Sequence, residues 1–119
     1  MYGVPASLDL GFLVGGALQQ ICIGLYQIQL HFHPVGDIST MGYWEVRDGA
    51  GRLIDQQAEN EAERAPFELH RLLGQTVVSV EITAPHSLTV HFSGGFSFQL
   101  FDDSPNYESF TIQPGDIIV

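Results

Sequence analysis

The sequence predicts a mainly β fold, a small barrel or sandwich built from two antiparallel repeats of about four strands each. Three observations carry this expectation. Apolar and polar residues alternate with a period of two over several short stretches, the pattern of a half-buried strand. Glycine, proline and aspartate punctuate those stretches at turn spacing. One half of the chain also resembles the other, and such self-similarity is a signature of repeated architecture.

The internal resemblance aligns Leu13-Val-Gly-Gly-Ala-Leu-Gln-Gln-Ile-Cys-Ile23 with Leu72-Leu-Gly-Gln-Thr-Val-Val-Ser-Val-Glu-Ile82. One extra residue in the second turn sets Gln27-Ile-Gln-Leu-His-Phe32 on Ser87-Leu-Thr-Val-His-Phe92. Upstream, Leu8 and Leu10 fall on Phe67 and Leu69. Downstream, Trp44-Glu-Val46 falls on Phe110-Thr-Ile112, with Gly49 near Gly115. The expectation is a single domain over 1–119, with repeat 1 about 7–58, a helical linker about 59–73 and repeat 2 about 74–119. Two amphipathic hairpins of similar composition would also look alike, so the duplication needs the pairing of the strands to support it.

The first hairpin is expected at Gln19 to Ile23 and Gln27 to Phe32, turning at Gly24-Leu-Tyr26. The second is expected at Val78 to Ile82 and Ser87 to Phe92, turning at Ala84-Pro-His86. Ser93-Gly-Gly95 turns into a strand carrying Phe96, Phe98 and Leu100. Tyr43 to Arg47, Leu53 to Gln57, Tyr107 to Ile112 and Ile117 to Val119 complete the set. Asp48-Gly-Ala-Gly51 and Gln113-Pro-Gly-Asp116 are turns. The exception is Glu59 to Leu73, with helix formers, acids at its start, Arg71 near its end and Gly74 as a stop. One short helix near residues 61–73 is expected, ordered from Pro66 at the first helical position to Leu73. Ser7 to Val14, before Gly15, is a shorter counterpart. Phe32, Phe92, Phe96, Phe98, Leu30, Val90, Ile23, Ile82, Trp44 and Phe110 are the expected core.

Composition removes several classes of function. Among 119 residues, 14 are Asp or Glu and four are basic, all arginine (Arg47, Arg52, Arg64 and Arg71), for a net charge of −10. Four scattered arginines make no basic stripe, so neither nucleic acid nor an anionic membrane is an expected partner. A single cysteine, Cys22, excludes an intramolecular disulfide and a thiolate zinc cage. The N-terminus lacks a cationic signal region and no apolar stretch reaches spanning length, so a reduced, cytoplasmic protein is expected.

Chemistry-bearing residues are few. His31-Phe-His33 puts two imidazoles on one strand face, the geometry of a metal pair, and His91 occupies the place matched to His31. That face also carries Gln27, Gln29, Ser87 and Thr89, and exposed strand histidines are the commoner outcome. No nucleophile elbow occurs, and Cys22 on a strand lacks the cationic surroundings of a reactive thiol. Asp102, Asp103 and Glu108 lack a calcium-loop framework. The glycine pairs open no helix that could cradle phosphate. The acidic residues remain, as Glu59, Glu61, Glu63 and Glu68 in one segment and Asp102, Asp103 and Glu108 in another. They serve solubility, or they form a surface for a basic partner whose association they would speed.

Tyr107-Glu-Ser-Phe-Thr-Ile112 resembles the Y-E-S-[FW] segment near the C-terminus of small bacterial β-rich domain families of unknown function. Their apolar-glycine start is similar to Leu13-Val-Gly15 and Leu72-Leu-Gly74. Some relatives look like the immunity proteins encoded beside polymorphic toxins. The resemblance spans most of the chain in pattern and implies a compact β-rich fold with no known catalytic residues. Two departures stand out. Phe110 replaces the tryptophan many relatives carry, and the terminal glycine-rich strand stops at Val119.

Three readings follow in order. The first is a non-catalytic interaction module that takes no cofactor and binds a protein with a basic surface, immunity-like in type. The second is a small-molecule-binding β-barrel, its phenylalanines lining a cavity. The third is a metal-dependent enzyme using His31, His33 and His91. Homodimerisation is open to all three, because exposed strand edges need covering.

Overall fold

A computed structural model describes residues 4–24, 27–57, 68–102, 110–114 and 117–119. Its ten strands are β1 (Ala17–Ile23), β2 (Ile28–His33), β3 (Asp37–Thr40), β4 (Trp44–Arg47), β5 (Leu53–Gln56), β6 (Val77–Thr83), β7 (Ser87–Phe92), β8 (Ser97–Phe101), β9 (Phe110–Gln113) and β10 (Ile117–Ile118). They form two antiparallel five-stranded sheets, ordered β1-β2-β3-β9-β10 and β5-β4-β8-β7-β6. The architecture is a sandwich. The sheets do not close into a barrel: where the starts of β1 and β6 approach, no ladder forms, and an isolated bridge joins Ala17 to Thr76, just ahead of β6.

Alternation explains the packing of β2. Ile28, Leu30 and Phe32 are buried while Gln29 and His31 are half-buried on the outer side. In β7, Leu88, Val90 and Phe92 occupy the core side. The Phe32 and Phe92 rings stack at 6.4 Å, joining the two sheets, and Trp44 stacks on Phe98 at 5.5 Å. Phe98 and Phe110 are buried with them. Three of the ten expected core residues sit elsewhere. Ile23 is 46% exposed, because it ends an edge strand. Ile82 and Phe96 are only partly buried, packed against the core from its margin.

Strand order departs from sequence order in one informative way. The chain runs β1-β2-β3 in the first sheet, then β4-β5 crosses to the second. After β6-β7-β8 in the second sheet, β9-β10 returns to the first. β3 pairs with β9 through Ile38 opposite Ile112, and β8 pairs with β4 through Phe98 opposite Val46. β3 itself was not among the expected strands. It is four residues long, and its burial alternation is too brief to stand out beside Pro34, Gly36 and Gly42.

The expected helix is a correction. Within the described residues it is a 3-10 turn, Leu69–Leu72, and the earlier part, including Pro66, lies outside them. Asp55 fixes its start. This buried carboxylate accepts from the backbone N–H groups of Glu68 at 2.8 Å and Leu69 at 3.1 Å, while also bonding Gln56 N. Earlier in the chain a first 3-10 turn, Gly11–Leu13, precedes β1. Each turn is followed by a glycine in the left-handed region, Gly15 at φ 87° and Gly74 at φ 82°, where a side chain is strained. Their N–H groups bond to Val77 O and Leu18 O, both at 2.8 Å, sewing the starts of β1 and β6 together.

Candidate functional site

The histidines are placed by strand alternation. Leu30 and Phe32 turn inward on β2, so His31 turns outward. Its Nδ1 lies 2.6 Å from Asp37 Oδ1 on β3. His91, between buried Val90 and Phe92 on β7, also turns outward, and its Nε2 lies 3.0 Å from Glu81 on β6. These two histidines therefore belong to different sheets and take different carboxylates; they do not meet. His33, exposed at the end of β2, pairs in register with Ala17. Among the described residues, no three His, Cys, Asp or Glu side chains gather where they could hold a metal ion. Cys22 is a half-buried free thiol opposite Gln29.

Of the expected acidic surface, Glu59, Glu61, Glu63, Asp103 and Glu108 lie outside the described residues. Glu68 is half-buried at the start of the second 3-10 turn. Asp102 is half-buried just after β8, and its N–H bonds to His86 O at 2.8 Å. The two stand at the end of a linker and the end of a strand, and no distance ties them into one patch.

The three arginines among the described residues are engaged. Arg47 bonds Glu45 at 3.0 Å, and Arg52 bonds Asp48 at 3.2 Å across the β4–β5 turn. Arg71 lies over the Phe96 ring at 5.0 Å from its centre. Asp48 also accepts from the N–H groups of Ala50 and Arg52. The Arg52 backbone bond leads in holding its carboxyl below the ordinary value, with burial opposing. On the same outer face the Tyr43 hydroxyl lies 2.8 Å from both Glu45 Oε2 and Gln56 Oε1. Burial first, then the Glu45 bond and charge, push this phenol above its ordinary value.

One concave feature went unread in the sequence. Leu8, Asp9, Leu10, Gly11 and Val14 face Val80 and Ile82 of β6 across a groove of about 180 Å³, open on one side. Among the described residues Asp9 is its only charged wall residue, with Oδ1 accepting from Gly11 N at 2.9 Å. No local signal marks it, since the groove exists only because the first 3-10 turn packs on a strand far along the chain. No helix among the described residues is long and apolar enough to cross a membrane. Compared with known proteins, the chain is matched by no family model, no curated protein and no solved structure.

Proposed function

We propose that this protein is a non-catalytic interaction module that binds a protein with a basic surface, in the manner of an immunity protein neutralising a basic toxin in the cytoplasm. The observation that carries the reading is its one-sided charge. The net charge is −10, and Arg47, Arg52 and Arg71 are each held by a side chain of the same molecule. Few cations are left to repel a basic partner. The acidic residues assigned to contact are Glu59, Glu61, Glu63, Glu68, Asp102, Asp103 and Glu108. Complementary charge of this kind speeds association and makes affinity fall with salt.

The test begins with capture on immobilised protein from its own host and identification of what is retained. The dissociation constant of the purified pair is then measured at about 50 mM and about 500 mM salt, across which the screening length shortens severalfold. A basic partner with weaker binding at high salt is expected. An acidic partner, or an affinity indifferent to salt, overturns the reading.

We also infer that the chain is an internal duplication with exchanged hairpins. Register supports it. The alignment that sets His31 on His91 and Trp44 on Phe110 sets the pair Thr40–Phe110 on the pair Leu100–Trp44. Ile112, set on Val46, pairs across its hairpin with Ile117 as Val46 pairs with Asp55, although the β4–β5 hairpin has the longer loop. Both hairpins also carry a register shift at the matched place, between Leu18 and Gln20 in β1 and between Val77 and Ser79 in β6.

A further inference from the structure

We propose that the groove between Leu8–Val14 and β6 receives a lysine side chain of the basic partner. This deepens the proposed function and rests on it. The groove walls supplied by Leu8, Leu10, Val14, Val80 and Ile82 are aliphatic. Val14 is 49% exposed, apolar surface that an occupant would cover. Among the described residues the wall's one charge is Asp9, whose Oδ1 is committed to Gly11 N. Its Oδ2 has no partner among the described residues. An occupant should therefore combine a flexible aliphatic stem with a single cationic point. A lysine meets both demands, lying along the apolar wall and placing its ammonium on Oδ2. An arginine fork gains most from two free carboxylate oxygens, and here one is already taken.

The alignment of the two halves sharpens the assignment. It sets Asp9 on Glu68, Val14 on Leu73, and Val80 and Ile82 on Ile21 and Ile23, so the acid and the aliphatic walls recur. It sets Gly11 on His70, so the matched position carries an imidazole where the first has no side chain.

The experiment titrates the full chain with n-butylammonium, n-butylguanidinium and butyrate at low salt, following methyl resonances by NMR. Butylammonium is expected to shift Val14, Val80 and Ile82, with butylguanidinium weaker and butyrate without effect. Asp9→Asn keeps an acceptor for Gly11 N while removing the charge. It should weaken butylammonium binding about two- to fivefold, the scale of an exposed ion pair, at unchanged thermal midpoint. Val14→Gln, at an exposed position, should weaken it as well. Shifts by butyrate equal to those by butylammonium, a guanidinium that binds as well, or indifference to Asp9→Asn would each overturn the proposal. Amine indifference alongside intact salt-sensitive partner binding sinks the groove alone. Amine binding without any basic partner sinks the proposed function alone.

Discussion

β2 and β7 bury the same run of positions, Ile28, Leu30 and Phe32 in one and Leu88, Val90 and Phe92 in the other. Their outer faces have diverged. His31 reaches forward in the chain to Asp37 on β3, whereas His91 reaches back to Glu81 on β6. Gln29 is half-buried, but its counterpart Thr89 is buried, and Gln99 bonds Ser87 at 3.0 Å nearby. The contrast teaches where the structural constraint lies. Inward positions must fill shared space at near-crystalline density. Outward positions need only find some polar partner or water, so either neighbouring strand can supply the carboxylate.

The hardest blow to that comparison would come from matched core truncations. Phe98→Ala, beside Trp44, should cost about 3–5 kcal/mol, and Ile38→Ala, at the matched place in the other sheet, about 2–5 kcal/mol. Urea unfolding measures both. Two separate transitions in either variant would mean that the sheets do not share one cooperative core.

A smaller effect tests where the halves differ inside. Asp55 sits opposite Val46 where Ile117 sits opposite Ile112. Asp55→Ala should cost about 1–3 kcal/mol, because it strands the N–H groups of Glu68 and Leu69. Hydrogen exchange at those two amides should accelerate before that of β7.

Gly15→Ala and Gly74→Ala should each cost about 1–2 kcal/mol, the strain of a left-handed non-glycine residue. A Cβ at either position meets nothing within 4 Å, so the loss reports backbone conformation alone. Equal thermal shifts would sharpen the likeness of the two halves, and a neutral Gly74→Ala would break it.

The smallest effect has a pH signature. Asp48 has a folded-state pKa below its unfolded value. Its stabilisation is therefore whole above the unfolded value near 3.8 and is lost as pH falls through the folded one. The stability gap between the protein and Asp48→Ala should persist at neutral pH and close in strong acid. A gap that widened on acidification would reverse the sign.

Much of the sandwich was legible in local alternation. Ile28, Leu30 and Phe32, or Val90 and Phe92, announce their face because a strand of six residues repeats the signal three times. Asp37–Thr40 repeats it only twice, so β3 was missed. Gly74 was readable as a stop, yet the turn before it proved tighter than an α-helix. The inward carboxylate of Asp55 was not readable, since its partners are backbone amides across the fold. The histidines were legible as an outward-facing set, but nothing local says that β2 and β7 belong to opposite sheets. The Asp9 groove shares this cause, because its two walls come from opposite halves of the chain.

The exchange of β4-β5 and β9-β10 has a consequence for synthesis on the ribosome. β3 obtains its outer neighbour only when Phe110–Gln113 has been made. Until then the emerging first half holds β1, β2 and β3 with an uncovered strand edge, which is a template for pairing with other chains. The second sheet differs, because β4 already waits when β8 arrives. Translation therefore finishes the later-encoded sheet before the earlier one, and a pause ahead of Phe110–Gln113 would hold the chain with that edge uncovered.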